Sequence, residues 1–442
     1  MNASIPLADA APAAQAPLSD WLHWLEAQHP RTIELGLERV GQVADRLGLR
    51  QPFSGTIISI AGTNGKGSSV ALLQAALQAA GLSVGAYTSP HLEHYAERIR
   101  IDGQPVSEAA LTDAFARIES ARQGIPLTYF EFGTLAALLI FRESVLDVLL
   151  LEVGMGGRLD AVNCVDADIA LITNIALDHQ EWLGEDIETI AGEKAGILRV
   201  GRPVVFSGAH CPGAIVEEAR RLGCPLYRRG EAFNVRIETD GWSWHGPHAS
   251  LENLPHPALA GTHQIDNAAG VLMVLSLLEG RGVPREGVRQ ALTQVRHPGR
   301  FERFVVNTGD GAHEIILDVA HNPDGARALA ETLAQHPPRS GGRTLALCAV
   351  LTDKDADGLV EPLLTQVAQW VVCGLSGPRG DEGQRVQDAL LRQGVTQIAH
   401  EARVEDGYNR ALTLLGPDDR LVVFGSFLTV AEVRKRVISH AG

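Results

Sequence analysis

Ala61-Gly62-Thr63-Asn64-Gly65-Lys66-Gly67-Ser68-Ser69 is the stretch on which the reading of this chain turns. Ahead of it, Thr56 to Ile60 reads as a strand, with Ile57, Ile58 and Ile60 supplying the apolar bulk. Behind it, Ser68 to Ala80 reads as a helix, with Val70, Leu73 and Leu77 on one stripe and Gly81 at the expected stop. A glycine-rich turn between strand and helix gathers backbone N–H groups around one point and aims a helix N-terminus at it. Such a turn binds phosphate, and Lys66 adds a mobile positive charge for the outer phosphates.

The spacing departs from the common phosphate loop, which wants a glycine separated by four residues from its Gly-Lys pair and Ser or Thr directly after the lysine. Here Ile60 and Gly67 occupy those positions. A tight structural turn is therefore the competing reading of the loop taken alone. Gly-Thr-Asn-Gly-Lys-Gly-Ser resembles the ATP loop of the Mur ligase superfamily in its folate-ligase branch, which makes amide bonds with ATP.

The chain has 442 residues, which predicts two or three domains. Hydrophobic residues make up 45% and charged residues 21%, as in globular proteins. A net charge of −15 argues against nucleic acid as a bulk partner but leaves room for a local anion pocket. The most apolar region, Leu135 to Val153, is broken by Arg142, Glu143 and Asp147, so no membrane span is expected. No Lys or Arg precedes Arg31, and the Ala- and Pro-rich residues 1–17 read as a flexible tail. Five scattered cysteines without a Cys-x-x-Cys pair read as reduced thiols of a cytoplasmic protein.

Strand-like and helix-like segments alternate, which predicts α/β layers around mainly parallel sheets. After the loop come expected strands at Ser83–Thr88, Val145–Val153, Ile169–Asn174 and Pro203–Ser207. Val235–Trp244 then reads as a β-ribbon and Gln264–Glu279 as a helix. His297-Pro298-Gly299-Arg300-Phe301 reads as a linker, placing one domain at 18–296 and a second at 297–442. Beyond it, strands at Glu314–Ala320, Thr344–Val350, Trp370–Leu375 and Arg420–Ser426 alternate with helices from Asp324, Asp357, Glu382 and Thr429. The fold expected is a P-loop-type parallel-sheet ATPase domain with a small β-ribbon, followed by a Rossmann-like doubly wound domain.

Three polar residues fall at or just past expected strand ends in the first domain: Ser89, Glu152 and His179. Open parallel sheets bind ligands outside the carboxyl ends of their strands, the same edge as the phosphate loop. A hydroxyl, a carboxylate and an imidazole beside phosphate oxygens suit Mg²⁺ or Mn²⁺. Singly, Ser89-Pro90 could be a turn, Glu152 a capped strand end and His179 a structural histidine.

Nearly the whole chain is similar to the bacterial dihydrofolate synthase/folylpolyglutamate synthases. The resemblance runs from Ile33-Glu34-Leu35-Gly36-Leu37 through Ser89-Pro90-His91-Leu92, Glu97-Arg98-Ile99, Leu127 to Gly133 and Glu152 to Asp160. It continues through Asn174 to Gly184, Glu193-Lys194-Ala195-Gly196, His297 to Phe301, Asp318 to Pro323 and Gly425-Ser426-Phe427. By that resemblance Ser89, Glu152 and His179 are metal ligands, and Asn64, Gly65, Lys66, Gly67 and Ser68 hold phosphates. Asn267, Arg300 and Asp318 are further nucleotide contacts, and Lys194 is the lysine that carries a carbamate, its alternative being an ordinary helix-surface lysine. Thr128, Tyr129, Phe130, Glu131, Leu159, Asp160 and Ala161 resemble pterin-binding stretches. Stacking on a flat heterocycle gives Tyr129 and Phe130 a physical rationale, against simple core packing. His321 and Ser426 resemble residues of the glutamate side, Ser426 reading otherwise as a strand end.

The activity so implied is a monomeric ATP- and Mg²⁺-dependent ligase, with Mn²⁺ as a substitute. It joins L-glutamate to 7,8-dihydropteroate and extends tetrahydrofolate. Lys66, Lys194 and His321 are its expected catalytic residues. A monofunctional folylpolyglutamate synthase, another Mur-type ligase and a nucleotide-gated switch are the alternatives.

Overall fold

The structure, a computed structural model, describes residues 10–28, 34–278, 282–308, 311–377 and 379–441. Ile33, the end of the expected 264–279 helix and residues 1–9 of the expected tail lie outside them. The described residues fall into two compact units: 176–185, 256–266 and 293 onward form the second, and the rest the first.

The first unit is built on eight strands: β1 (Thr56–Ala61), β2 (Val84–Tyr87), β3 (Ile99–Ile101), β4 (Gln104–Pro105), β5 (Val148–Glu152), β6 (Ile169–Ile172), β7 (Val204–Phe206) and β8 (Leu226–Arg228). They run in the order β4-β3-β2-β5-β1-β6-β7-β8. All pairs are parallel except β2–β3 and β3–β4. Parallel strands covered on both faces read as unbroken apolar runs, and β5 is Val-Leu-Leu-Leu-Glu with every residue buried. The chain leaves β1 through the helix Lys66–Ala79 to β2 on one side, and β6 pairs with β1 on the other. That reversal makes the carboxyl ends of β1, β5 and β6 a topological switch point.

The strands expected in this unit are found with trimmed ends, and the helix after the loop begins at Lys66 rather than Ser68. The expected ribbon is a three-stranded antiparallel sheet of β9 (Asn234–Glu238), β10 (Gly241–His245) and β11 (Ser250–Leu254). It buries Trp242 and Trp244. Residues 10–17 hold no helix or strand, and the Trp21 indole donates to Ala13 O at 3.1 Å.

The second unit carries β12 (Glu302–Thr308), β13 (Gly311–Leu317), β14 (Thr344–Cys348), β15 (Gln369–Cys373), β16 (Ile398–Glu401) and β17 (Arg420–Phe424). Their order is β12-β13-β17-β14-β15-β16, parallel apart from the antiparallel β12–β13 edge. One face of the mixed sheet packs on an apolar core that includes Ile316, Leu329, Trp370, Val422 and Phe424. The segment 297–301, expected as a linker, packs onto this sheet: Val319 donates to Gly299 O at 2.9 Å and Phe301 is buried.

Candidate active site

Two glycines shape the turn after β1. Gly62 has φ +148° and a Cβ there would stand 1.8 Å from Thr173 Oγ1. Gly65, the residue before the helix Lys66–Ala79, has φ +83°, and its Cβ would stand 2.4 Å from Asn267 Oδ1. Left-handed backbone and absent side-chain room both require glycine here. Residues just past β6 fasten the turn. Asn174 O accepts from Thr63 N–H at 2.8 Å, and Asn174 Oδ1 accepts from Asn64 N–H at 2.8 Å. Thr173 Oγ1 donates to Asn64 O at 2.6 Å. The first-turn N–H groups of Lys66, Gly67 and Ser68 point out of the helix end, as in an anion site.

Lys66 Nζ folds back onto its own loop, 2.9 Å from Gly62 O and 3.1 Å from Thr63 O. Lys194, the last residue of the helix Ile187–Lys194, sends its Nζ to the same Gly62 O at 3.1 Å. Lys194 is buried, not a surface lysine, and Glu193 pairs with Arg158 instead. Two ammonium groups on one carbonyl repel each other, and an anion placed there relieves that repulsion.

Ile60 of β1 lies in register with Glu152 of β5, which puts the Glu152 carboxylate at the loop's strand edge. Glu152 is buried and accepts from Ser89 N–H at 3.1 Å, so the structure brings these two expected ligands together. Hard oxygen donors of this kind fit Mg²⁺ or Mn²⁺.

Asp160 is fully enclosed beside the same edge. It accepts from Met155 N–H at 2.9 Å and Val162 N–H at 3.0 Å. Burial pushes its carboxyl up to about 6, against the opposing pull of those N–H groups and of Lys66. Ala161 is buried and Leu159 exposed. Phe130 covers Gly154, where a Cβ would meet its ring at 2.6 Å, and packs on Tyr87 with centroids 5.9 Å apart. Tyr129 meets Tyr95 edge-on at 5.6 Å, with the Arg98 guanidinium 5.7 Å from the Tyr129 ring. Thr128 and Glu131 cap the helix Tyr129–Glu143 reciprocally, Thr128 N–H donating to Glu131 Oε2 at 2.7 Å. Arg39 pairs with Glu131 at 3.2 Å. The polar atoms of both cap residues are thus engaged in holding the helix start.

In the second unit, Asp318 stands just past β13. It accepts from Ala320 N–H at 2.8 Å and Phe301 N–H at 2.9 Å. Burial pushes its carboxyl up, and the Arg300 guanidinium opposes that. Arg300 lies 5.4 Å from the Phe427 ring, and His321 packs on the same ring with centroids 5.9 Å apart. His321 Nδ1 faces Val319 O at 2.9 Å. Ser426 Oγ accepts from Thr429 N–H at 3.0 Å, which starts the last helix. His179 belongs to this unit, with φ +52°.

Sequence reasoning passed over Asp178 and Lys354. Asp178 accepts from Lys354 at 2.7 Å and Asn322 at 2.9 Å. Burial would push its carboxyl up, but the His321 hydrogen bond and the charges of His179 and Lys354 hold it well below the usual carboxylate range. The available signals were an Asp directly before the expected ligand and a Lys in the polar run Thr352-Asp353-Lys354-Asp355 after β14.

Residues 60–275 match the family Mur ligase middle domain, and residues 299–427 match the family Mur ligase, glutamate ligase domain. The dihydrofolate synthase/folylpolyglutamate synthase of Escherichia coli K12 is 42% identical over 422 residues, 96% of either chain. The chain belongs to the bacterial dihydrofolate synthase/folylpolyglutamate synthase family. Escherichia coli FolC in complex with DHPP and ADP superposes with a TM-score of 0.90 at 41% identity, over 98% of this chain and 100% of that one. The Yersinia pestis bifunctional folylpolyglutamate synthase/dihydrofolate synthase complexed with AMPPNP and Mn ion gives 0.87 at 44% identity, over 97% and 100%. Family membership accounts for the two mixed α/β units. No helix among the described residues is long and apolar enough to cross a membrane.

Proposed function

We propose that this protein is an ATP-dependent ligase. It joins L-glutamate to 7,8-dihydropteroate and then adds γ-linked glutamates to tetrahydrofolates. The observation that carries the reading is the glycine turn after β1. Lys66 and Lys194 converge there on Gly62 O, and Glu152 stands at the adjoining strand end.

A carboxylate oxygen of the pteroate attacks the γ-phosphorus of ATP. The bond to the bridging oxygen breaks, and ADP leaves with that electron pair. The glutamate amine then attacks the acyl carbon and loses a proton. Phosphate departs with the former carboxylate oxygen. The turn's first helical N–H groups and Lys66 bind and orient the phosphates and balance their charge, chiefly a positioning and electrostatic task. Ser89, Glu152 and His179 are proposed to hold a divalent cation, which when bound neutralises phosphate charge. Asn267, pressed against Gly65, and the pair Arg300 and Asp318 are proposed nucleotide contacts. Asp160, Phe130 and Tyr129 frame the proposed pterin side. His321 and Ser426 serve the glutamate side.

Lys194 is proposed to react with CO₂, its amine losing a proton as the N–C bond forms. The resulting carbamate replaces a cation that Lys66 repels with an anion that Lys66 attracts. The reaction needs the neutral amine, the nucleophilic form of a lysine.

The acid accepted is the decisive test. Purified protein given ATP, Mg²⁺ and glutamate should release ADP with dihydropteroate and with tetrahydrofolate alike. Turnover of tetrahydrofolate alone would replace this reading with a monofunctional folylpolyglutamate synthase.

A further inference from the structure

Thr344 and Arg420 open β14 and β17 and are register partners. They stand at the end of the second unit's sheet opposite to Asp318 and Ser426, which come after the last residues of β13 and β17. A cavity of about 250 Å³ lies at this far end, walled by Leu333, Pro337, Pro338, Val367, Thr344 and Arg420. Its charged lining residues are Arg343 and Arg420, and no carboxylate lines it. Arg343 is neutralised by Asp419, 2.7 Å from its Nη2.

Arg420 has no such partner. It is 2% exposed and Thr344 4%. The guanidinium donates from Nε to Thr344 Oγ1 at 2.9 Å, from Nη1 to His336 O, and from Nη2 to Leu333 O at 3.2 Å. The two carbonyl bonds cap the end of the helix Pro323–Gln335, which gives an arginine a reason to stand here. They leave its charge in place, because all three acceptors are neutral and no carboxylate among the described residues pairs with it. Glu314, its register partner on β13, is held by Arg303 at 2.5 Å. A guanidinium has five N–H donors, so two remain, and Thr344 Oγ1 still has its own O–H to give. None of these three donors meets an acceptor among the described residues. Burial pulls the Arg420 pKa down, as it does for a cation short of a counter-ion. A buried cation is costly unless an anion accompanies it.

We propose that this cavity binds a small oxyanion, of phosphate or carboxylate type, through Arg420 and the Thr344 hydroxyl. The site is independent of the ligase chemistry. A helix-capping arginine whose spare donors face only water would show no such binding.

The test is binding of inorganic phosphate and of acetate to the full chain, with chloride balancing the ionic strength, read by calorimetry and by melting temperature. Wild type is compared with Arg420→Met, Thr344→Val and Thr344→Ser. Phosphate taken up by the turn after β1 is common to all of them and cancels in the comparison. Thr344→Ser keeps the hydroxyl and should stay within about twofold of the wild-type affinity. Thr344→Val should bind about tenfold or more weakly, as for the loss of one hydrogen bond to a charged group. Arg420→Met should abolish this component of binding. The anion that binds more tightly, phosphate or acetate, names the class. Wild-type responses to both anions no larger than those of Thr344→Val would overturn the proposal. So would a loss in Thr344→Ser as large as in Thr344→Val, or a folded Arg420→Met that binds like the wild type. Should Arg420→Met fail to fold for want of its helix cap, the two Thr344 variants decide the matter.

Discussion

The two ends of the helix Lys66–Ala79 provide a matched pair of substitutions. Gly65 before it and Gly81 after it have φ of +83° and +77°. An alanine at either position meets the same backbone penalty, about 1–2 kcal/mol for an L residue in left-handed conformation. Their surroundings differ. A Cβ at Gly81 meets nothing within 4 Å, whereas one at Gly65 stands 2.4 Å from Asn267 Oδ1. Asn267 is buried, and its amide would have to retreat by about 1 Å to restore van der Waals contact. Both variants should therefore lose a few degrees of melting temperature. Only Gly65→Ala should also displace a proposed nucleotide contact and crowd the phosphate turn. Its ATP KM should rise by about tenfold or more, equivalent to one charge-assisted hydrogen bond lost, with Gly81→Ala at the wild-type value. Calorimetry and ADP release under ATP titration read both quantities. Equal ATP KM values for the two variants would refute the assignment of this turn to the nucleotide.

Lys66→Ala should keep the fold and lower kcat by about 10²–10³, since its charge acts on the transferring phosphoryl group. Near-normal turnover would contradict that role. Lys194→Ala should lose activity, and acetate or formate should restore part of it by standing in for the carbamate. In the wild type, labelled bicarbonate should give a carbamate carbon resonance that Lys194→Ala lacks. The Asp160 carboxyl, raised by burial from 3.8 to about 6, stabilises the fold most below about 3.8, and that contribution is lost as pH rises through about 6. Asp160→Asn should therefore destabilise more at pH 4 than at pH 7.5, as melting curves would show; a constant difference would mean that the group is not perturbed.

The parts of the fold legible in sequence were those where local pattern and tertiary role coincide. The run Val148 to Leu151 is apolar because its strand is covered on both faces, so a buried parallel strand was readable without knowing its partners. The turn Gly62 to Lys66 was readable because its glycines answer to backbone geometry and close approach together. Elements at sheet edges escaped. β4 is two residues and carries Pro105, β12 mixes Glu302, Arg303 and Asn307 with its apolar residues, and β16 is only partly buried, so none shows a clean period. Thr128 and Glu131 stood out through a motif whose polar atoms the helix cap occupies. Asp178 and Lys354 stayed hidden because they are joined across 176 positions of chain, a pairing no local pattern announces.

In the proposed reaction ATP activates a carboxylate for attack by an amine. Isotope transfer tests this step when the purified protein is given ATP, Mg²⁺, L-glutamate and dihydropteroate carrying heavy oxygen in its carboxylate. ADP should appear only when the acid and the amino acid are both present, and one heavy oxygen per turnover should move into the released phosphate. ADP release that ignores either substrate, or an amide product formed with no heavy oxygen in the phosphate, would contradict the proposed reaction.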